Sequence, residues 1–362
     1  MLLRNYLESY TRKQLIEEAK LFELKNCSGL RKNVLIDRIL ECFCTEEFLR
    51  SRMACLTKEQ MNLFRKACRA PQDISMDQII DGMQLYRFWL GGFEDPTDQF
   101  CVYEEIAEIF QKIDDEAFRI EQNKKGWIMK CIQFFVTYYG IAPIEIIYEL
   151  YNLRVEDSID EMVEMLGEMP IDVTESFILP MGRLGLQGLP KDDPLYSAKG
   201  LLIHIPVLEN KELNYLLDQQ MDKRFYIPSV PQIEELGRIG YEASSFTYKK
   251  LKEFFIRNMH MSDEHAVTWC LQVWAGSYEG ENPAEVINKM SETGTVFKSE
   301  KQMQEFLGVL MEAHNSTRMK ENRGHTPNEL RCKSVRRAEK IYPNAFCPCG
   351  SGKKYKKCCG RK

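Results

Sequence analysis

One short run near the C-terminal end constrains this chain more than any other feature: Phe346-Cys-Pro-Cys-Gly-Ser-Gly-Lys-Lys-Tyr-Lys-Lys-Cys-Cys-Gly-Arg361. Cys347 and Cys349 lie two apart, and Cys358 and Cys359 follow after eight intervening residues. A segment this short has no hydrophobic core of its own, so metal binding must supply its folding free energy. Four thiolates suit structural zinc, which takes four ligands in a tetrahedron with Zn–S near ~2.3 Å. Gly350 and Gly352 let the backbone turn back through φ values that other residues avoid. Lys353, Lys354, Lys356 and Lys357 surround the thiolates and favour their deprotonation. Four cysteines close the coordination shell, which argues against a catalytic metal. The competing reading is a surface cysteine cluster that holds no metal.

The remaining nine cysteines are scattered from Cys27 to Cys332. With an odd total of thirteen in a long chain, a disulfide framework is a poor reading. Cys42 and Cys44 point to different faces of a helix and read as core or surface thiols, and Cys131 and Cys270 as core.

Charge is uneven. Residues 1–40 carry +3 and residues 318–362 carry +11, so the chain's total of −5 leaves −19 on the body between them. Basic ends can meet phosphate or an acidic protein, which the body would repel. Hydrophobic residues make up 44%, enough to fold most of a 362-residue chain into several domains. The apolar stretch Cys131–Tyr151 is broken by Gln133, Glu145 and Glu149, and reads as buried helices, not a membrane span. No signal-peptide pattern opens the chain, so a cytoplasmic protein without membrane insertion is expected.

The fold class read from the pattern is mainly α, multi-domain, with a possible winged-helix unit and a small zinc knuckle. In residues 1–45, Thr11 with Gln14 forms a capping box, a first helix buries Leu15, Ala19 and Phe22, and a second buries Leu35, Ile36, Ile39 and Leu40. Residues 46–114 hold helices near Lys58–Cys68 and Met76–Phe88, a turn at Gly91-Gly92 and an apolar segment near Phe100–Tyr103. Residues 115–208 hold helices near Trp127–Tyr139, Pro143–Tyr151 and Ser158–Leu166, then strands Ser176–Leu179 and Leu201–Pro206. Three helices followed by a hairpin is the order of a winged helix; plain helical packing with a surface hairpin is the alternative. Residues 209–317 read as a helical bundle, with starts at Ser262 and Asn282-Pro283. Residues 318–342 read as a basic tether and 343–362 as the zinc tail.

Catalytic groups are wanting. There is no phosphate-binding Gly-rich loop, no Ser/His/Asp elbow, no dinucleotide fingerprint and no His-Glu-x-x-His. Asp114-Asp115 and Glu104-Glu105 are adjacent and do not converge. His260 and His265 fit capping or surface roles at a helix junction; His314 and His325 are weak candidates for docking the tail. Met162, Met165 and Met169 share a helix face and read as core ahead of a partner groove. No enzymatic activity and no small-molecule substrate are expected.

Two resemblances add to this. Leu15-Ile-Glu-Glu-Ala19, Leu24-Lys-Asn-Cys-Ser-Gly-Leu-Arg-Lys32 and Leu35 to Leu40 resemble the small N-terminal domain of the Rho transcription terminator and the SAP module. That resemblance implies a nucleic-acid-binding hairpin, with Arg31, Lys32 and Arg38 facing phosphate. The tail, with Cys347, Cys349, Ser351, Gly352, Cys358 and Cys359, resembles the SEC-C motif, the zinc tail of the SecA translocase ATPase. His314–Leu330 is similar to a segment found upstream of such tails in bacterial proteins. The tail resemblance covers about twenty residues and implies a Zn²⁺ module that docks an acidic chaperone or approaches the ribosome. The first expectation is therefore a non-enzymatic bacterial adaptor, nucleic-acid-associated in transcription or RNA work, with Lys353, Lys354, Lys356 and Lys357 adding phosphate contacts. The alternative is a protein-binding adaptor.

Overall fold

A computed structural model describes the chain except Glu23, 76–77, 95–96, Asp222, 240–241, 295–296, 332–342, Ala345, 348–352, Cys359 and Lys362. The fold is mainly helical with small antiparallel sheets. Its residues group into two compact units. One comprises Met1–Gln133, Pro143–Gln187 and Ser197–Pro206; the other comprises Phe134–Ala142, Gly188–Tyr196 and Val207–Lys362. Among the described residues no helix is long and apolar enough to cross a membrane.

The first unit opens with α1 (Leu3–Ser9), α2 (Arg12–Leu21), α3 (Lys32–Phe43), α4 (Glu46–Met53), α5 (Lys58–Ala67) and α6 (Ile79–Arg87). The expected capping box starts α2: the Thr11 hydroxyl accepts from the Gln14 N–H, and the Gln14 side chain accepts from the Thr11 N–H. The same device starts α5 at Thr57 and Gln60. Leu15, Ala19, Leu35, Ile36 and Ile39 are buried as the helical spacing predicts, joined by Phe43, Leu49 and Met53. Each of these side chains larger than Ala19 contributes roughly 1.5–3 kcal/mol by leaving water.

Strands β1 (Gly91–Glu94) and β2 (Gln99–Val102) follow, antiparallel, with Gly91 opposite Val102. This corrects the sequence reading of Gly91-Gly92 as a turn. The glycine is there for close approach: a Cβ on Gly91 would lie 2.5 Å from the Cys101 carbonyl oxygen and 2.5 Å from the Phe100 ring.

Next come α7 (Glu104–Ile113) and the long α8 (Glu116–Tyr138), whose turns from Phe134 onward belong to the second unit. The sequence reading began this helix at Trp127, but it starts eleven residues earlier and runs through Gly126. A Cβ at Gly126 would sit 2.6 Å from the Leu56 carbonyl oxygen, which also accepts the Gln122 amide at 2.8 Å. Gly126 thus marks a helix packed hard against backbone. A short strand β3 (Ile141–Pro143) leads to α9 (Ile144–Tyr151), α10 (Ile159–Glu168) and the single turn α11 (Ile171–Thr174). Then β4 (Ser176–Leu179) pairs antiparallel with β5 (Leu201–His204), Ser176 opposite His204, so the expected hairpin forms. Met162 and Met169 are buried as core.

Helices α12 (Ile205–Glu209), α13 (Leu213–Gln220) and α14 (Val230–Ile239) lead to four longer ones: α15 (Phe246–Met259), α16 (Asp263–Tyr278), α17 (Pro283–Glu292) and α18 (Glu300–Asn315). These four pack around Leu251, Phe255, Cys270, Val273, Met290, Phe306 and Leu310. Ser262 and Asn282 cap α16 and α17 through their side chains, with Pro283 at the first helical position. His260 ends α15 in the left-handed region at φ 58°, the capping role expected of it.

Candidate metal centre and its anchor

The tail folds back on itself where the cysteine spacing demands. The Cys347 N–H donates to the Lys353 carbonyl at 2.7 Å, and Phe346 bridges Lys354 in an antiparallel pair. A 3₁₀ turn at Tyr355–Lys357 then delivers Cys358, whose N–H donates to the Tyr355 carbonyl at 3.1 Å. The Lys356 N–H closes onto the Pro343 carbonyl at 2.9 Å. Cys347 is buried at 4% exposure, while Phe346 is 79% exposed. Lys353, Lys354, Lys356 and Lys357 all lie on the surface of this loop.

Cys349 and Cys359, the other two expected ligands, lie outside the described residues. Among the described residues no three metal-ligating side chains converge. The residues present nevertheless fit a thiolate-bound metal: a buried cysteine sits on a tight backbone return, and four exposed lysines lie on the same loop.

The other expected contact residues sit around the loop between α2 and α3. Lys32 gives its ammonium to the Glu8 carbonyl at 2.6 Å, and Arg38 donates to the Lys25 carbonyl at 3.2 Å. Arg12 ties the same loop by donating to the Leu30 carbonyl at 2.8 Å and to the Ser28 carbonyl. Arg31 stands exposed at the N-cap of α3, its side chain without a hydrogen bond or ion pair among the described residues. Lys32 thus ties α3 to α1, and Arg38 shapes the hairpin's own loop.

The least anticipated feature lies between α18 and the tether. Thr317, 1% exposed, donates to the Ala313 carbonyl at 3.0 Å and shares a 2.7 Å hydrogen bond with the Tyr248 hydroxyl. Arg318, 7% exposed, donates to the Gly324 carbonyl at 3.0 Å and to Glu329 at 3.1 Å. Its guanidinium lies 3.7 Å from the centre of the Tyr226 ring and pairs with Glu242 at 3.5 Å. Arg323 is buried in the left-handed region at φ 49°, over the Phe225 ring, and donates to the Lys223 carbonyl. His325 sets its ring nitrogens 3.1 Å from the Arg224 carbonyl and 3.2 Å from Glu329.

Glu329 is the hub. Burial works against its charge, but hydrogen bonding from His325, the Arg318 cation and the Thr326 N–H outweigh it and hold its pKa down to about 2. Thr326 and Glu329 also cap the helix over 327–331 reciprocally, each at 3.1 Å. The sequence carried a signal for this: Thr326-Pro-Asn-Glu329 is a capping box with proline at the first helical position. His325 is therefore spent inside this anchor.

The carboxylate pairs are structural in the same way. Asp114 takes Arg65 at 2.8 Å and Arg119 at 3.0 Å, while Asp115 accepts the Phe118 N–H at 2.7 Å. Glu105 accepts the Leu3 N–H at 3.1 Å.

Comparison with known proteins bears on the tail. Residues 344–361 match the SEC-C motif, in general a zinc-binding tail. The chain is 61% identical over 41 residues to a protein translocase subunit SecA of Syntrophomonas wolfei, covering 11% of this chain and 5% of that protein. It is 72% identical over 29 residues to SecA of Carboxydothermus hydrogenoformans, covering 8% and 3%. It is 94% identical over 18 residues to a UPF0225 protein of Serratia proteamaculans, covering 5% and 12%. This chain therefore spans a small fraction of the length of the proteins it matches. The family match lends no support to a Rho-like domain in residues 1–45. No solved structure matches the chain.

Proposed function

We propose that the chain is a non-enzymatic, zinc-binding adaptor of the bacterial cytoplasm whose tail, residues 343–362, docks an acidic protein surface such as a chaperone or a ribosomal protein. The observation that carries this reading is the lysine-ringed return at Cys347 and Cys358, within the stretch that matches SEC-C. Cys347, Cys349, Cys358 and Cys359 are the proposed Zn²⁺ ligands. Bound zinc neutralises part of the thiolate charge and fixes the loop; Lys353, Lys354, Lys356 and Lys357 then meet carboxylates, with the exposed Phe346 beside them.

A second reading, a nucleic-acid-associated adaptor in transcription or RNA work, is favoured by the +11 charge of residues 318–362 and by the exposed, unpartnered Arg31. Under it, binding weakens steeply with salt as counterions are released. The commitment of Lys32 to the Glu8 carbonyl of α1 and of Arg38 to the Lys25 carbonyl puts it second.

One experiment separates them. The full chain and a variant with Lys353, Lys354, Lys356 and Lys357 all changed to Glu are used as bait in cell extract, with and without nuclease. A protein partner lost with the lysines but kept after nuclease supports the first reading. Recovery abolished by nuclease supports the second. Equal recovery by both baits refutes a recognition role for the tail.

A further inference from the structure

One face of α18 packs into the second unit through Phe306, Val309, Leu310 and Ala313. Beside that buried face runs another strip. Glu300, Met303, Leu307, Met311 and His314 fall within about 80° of arc on a helix that turns about 100° per residue. Met303 is 37% and Met311 43% exposed, Leu307 between them is half-buried, and Glu300 is exposed. Apolar residues scattered singly over a surface need no partner. Here they recur at four-residue steps along one line, and methionine adapts its shape to what it meets.

The order of the strip says what covers it. Counted from Leu307, its members stand at −7, −4, 0, +4 and +7. The strip is therefore its own complement when a second α18 lies across it antiparallel, about a two-fold axis through Leu307. Leu307 then meets Leu307 of the second copy, Met303 meets Met311, and Glu300 meets His314.

Charge selects that direction. In a parallel pair the two Glu300 carboxylates would face each other and repel. In the antiparallel pair each carboxylate reaches an imidazole, which donates an N–H when neutral and adds a positive charge when protonated. Glu300 accepts the Gln304 amide on one oxygen at 3.3 Å, which leaves the other for a partner. His314 is half-buried and has no hydrogen bond among the described residues; the positive charge of Arg331 acts on the same ring and adds to its pull on a carboxylate.

The contact is small. From Glu300 to His314 the helix rises about 21 Å, and a single helix pair of that length buries less than the roughly 1,200–2,000 Å² of stable interfaces. The pair is therefore reversible, with a Kd on the order of 10–100 µM.

We propose that the chain pairs with a second copy of itself through α18, antiparallel, in a reversible dimer centred on Leu307. The pairing uses neither the zinc tail nor its metal, so its failure would leave the adaptor reading untouched.

Sedimentation equilibrium of the full chain, zinc-loaded and under reducing conditions, tests this from about 5 to about 500 µM. The parent should pass from monomer to dimer across that range. Met303→Glu with Met311→Glu sets like charges against each other on exposed positions and should weaken pairing at least about tenfold, with the helical circular dichroism unchanged. His314→Glu faces Glu300 of the second copy and should weaken it about tenfold; adding Glu300→Lys to that change should restore it. The two positions lie about 21 Å apart in one helix, so within a single chain they do not compensate each other, and recovery requires a second copy in this register. The proposal is overturned if the parent stays monomeric throughout, which would leave the strip to a different partner. It is equally overturned if the methionine double variant or His314→Glu pairs as tightly as the parent, or if Glu300→Lys fails to rescue His314→Glu.

Discussion

Replacing Glu329 by glutamine tests the anchor most directly. Glutamine keeps the shape and can still accept the Thr326 N–H, so the change removes mainly charge. Arg318 would be left, 7% exposed, with Glu242 at 3.5 Å as its remaining counter-ion. A carboxyl held near 2 against an ordinary 4.5 corresponds to about 3 kcal/mol at neutral pH. The Glu329 side chain keeps 35% of its surface exposed, and water there screens the interaction, so a loss of about 2 kcal/mol is expected.

The pH dependence has a definite sign. Because the folded-state pKa is depressed, the stabilisation is fully present above about 4.5 and is lost as pH falls towards 2. The glutamine variant lacks this titration. The gap between the two proteins should hold constant from pH 7 to about 5, then close by at most about 1.4 kcal/mol per pH unit below that. Hydrogen exchange of the α16 and α18 amides reads the second unit alone. A gap under about 0.5 kcal/mol at pH 7, or one unchanged between pH 5 and pH 3, would refute the reasoning.

Three further outcomes are expected. Cys358→Ser should lower the zinc content of the purified protein from about one per chain, measured by atomic absorption, and an unchanged content would remove Cys358 from the ligand set. Gly91→Ala must push apart the Cys101 carbonyl and the Phe100 ring, each 2.5 Å from the new Cβ, and should cost about 1–3 kcal/mol in urea unfolding of the first unit; a neutral effect would show that β1 relaxes freely. Thr57→Ala removes a fully buried cap from α5 and should cost about 1–2 kcal/mol in the same assay, with Thr57→Ser recovering most of it.

Periodicity made the helices legible wherever one face is apolar and the ends carry caps. Thr11, Ser262 and Asn282 mark starts that the fold uses. Glycine was read as a turn at Gly91, where it stands for close approach. At Gly91 and Gly126 the missing side chain answers to a carbonyl from elsewhere in the unit, Cys101 or Leu56, which local pattern cannot reveal. The SEC-C stretch was legible as a spacing of four cysteines, because its pattern is encoded within thirteen positions. The fate of the cationic residues was not. Lys32 and Arg38 look identical in sequence whether they face phosphate or tie backbone carbonyls, and only the position of the Glu8 and Lys25 carbonyls decides. The Arg318–Glu329 network was hidden because its partners Tyr226 and Glu242 lie far back in the chain.

That network has a mechanical consequence. If the tail binds a large partner, a pull on it would reach the described fold at the helix over 327–331. There the load meets Glu329, which ties Arg318, His325 and Thr326 at once. Charged hydrogen bonds in a partly dry setting are stiff and short in range, so they share a pull without stretching and then fail together. A joint of this kind behaves as a fuse. It should keep α18 seated under ordinary traction on the tail and yield in one abrupt step, at a force set more by the Glu329 cluster than by the apolar bundle behind it.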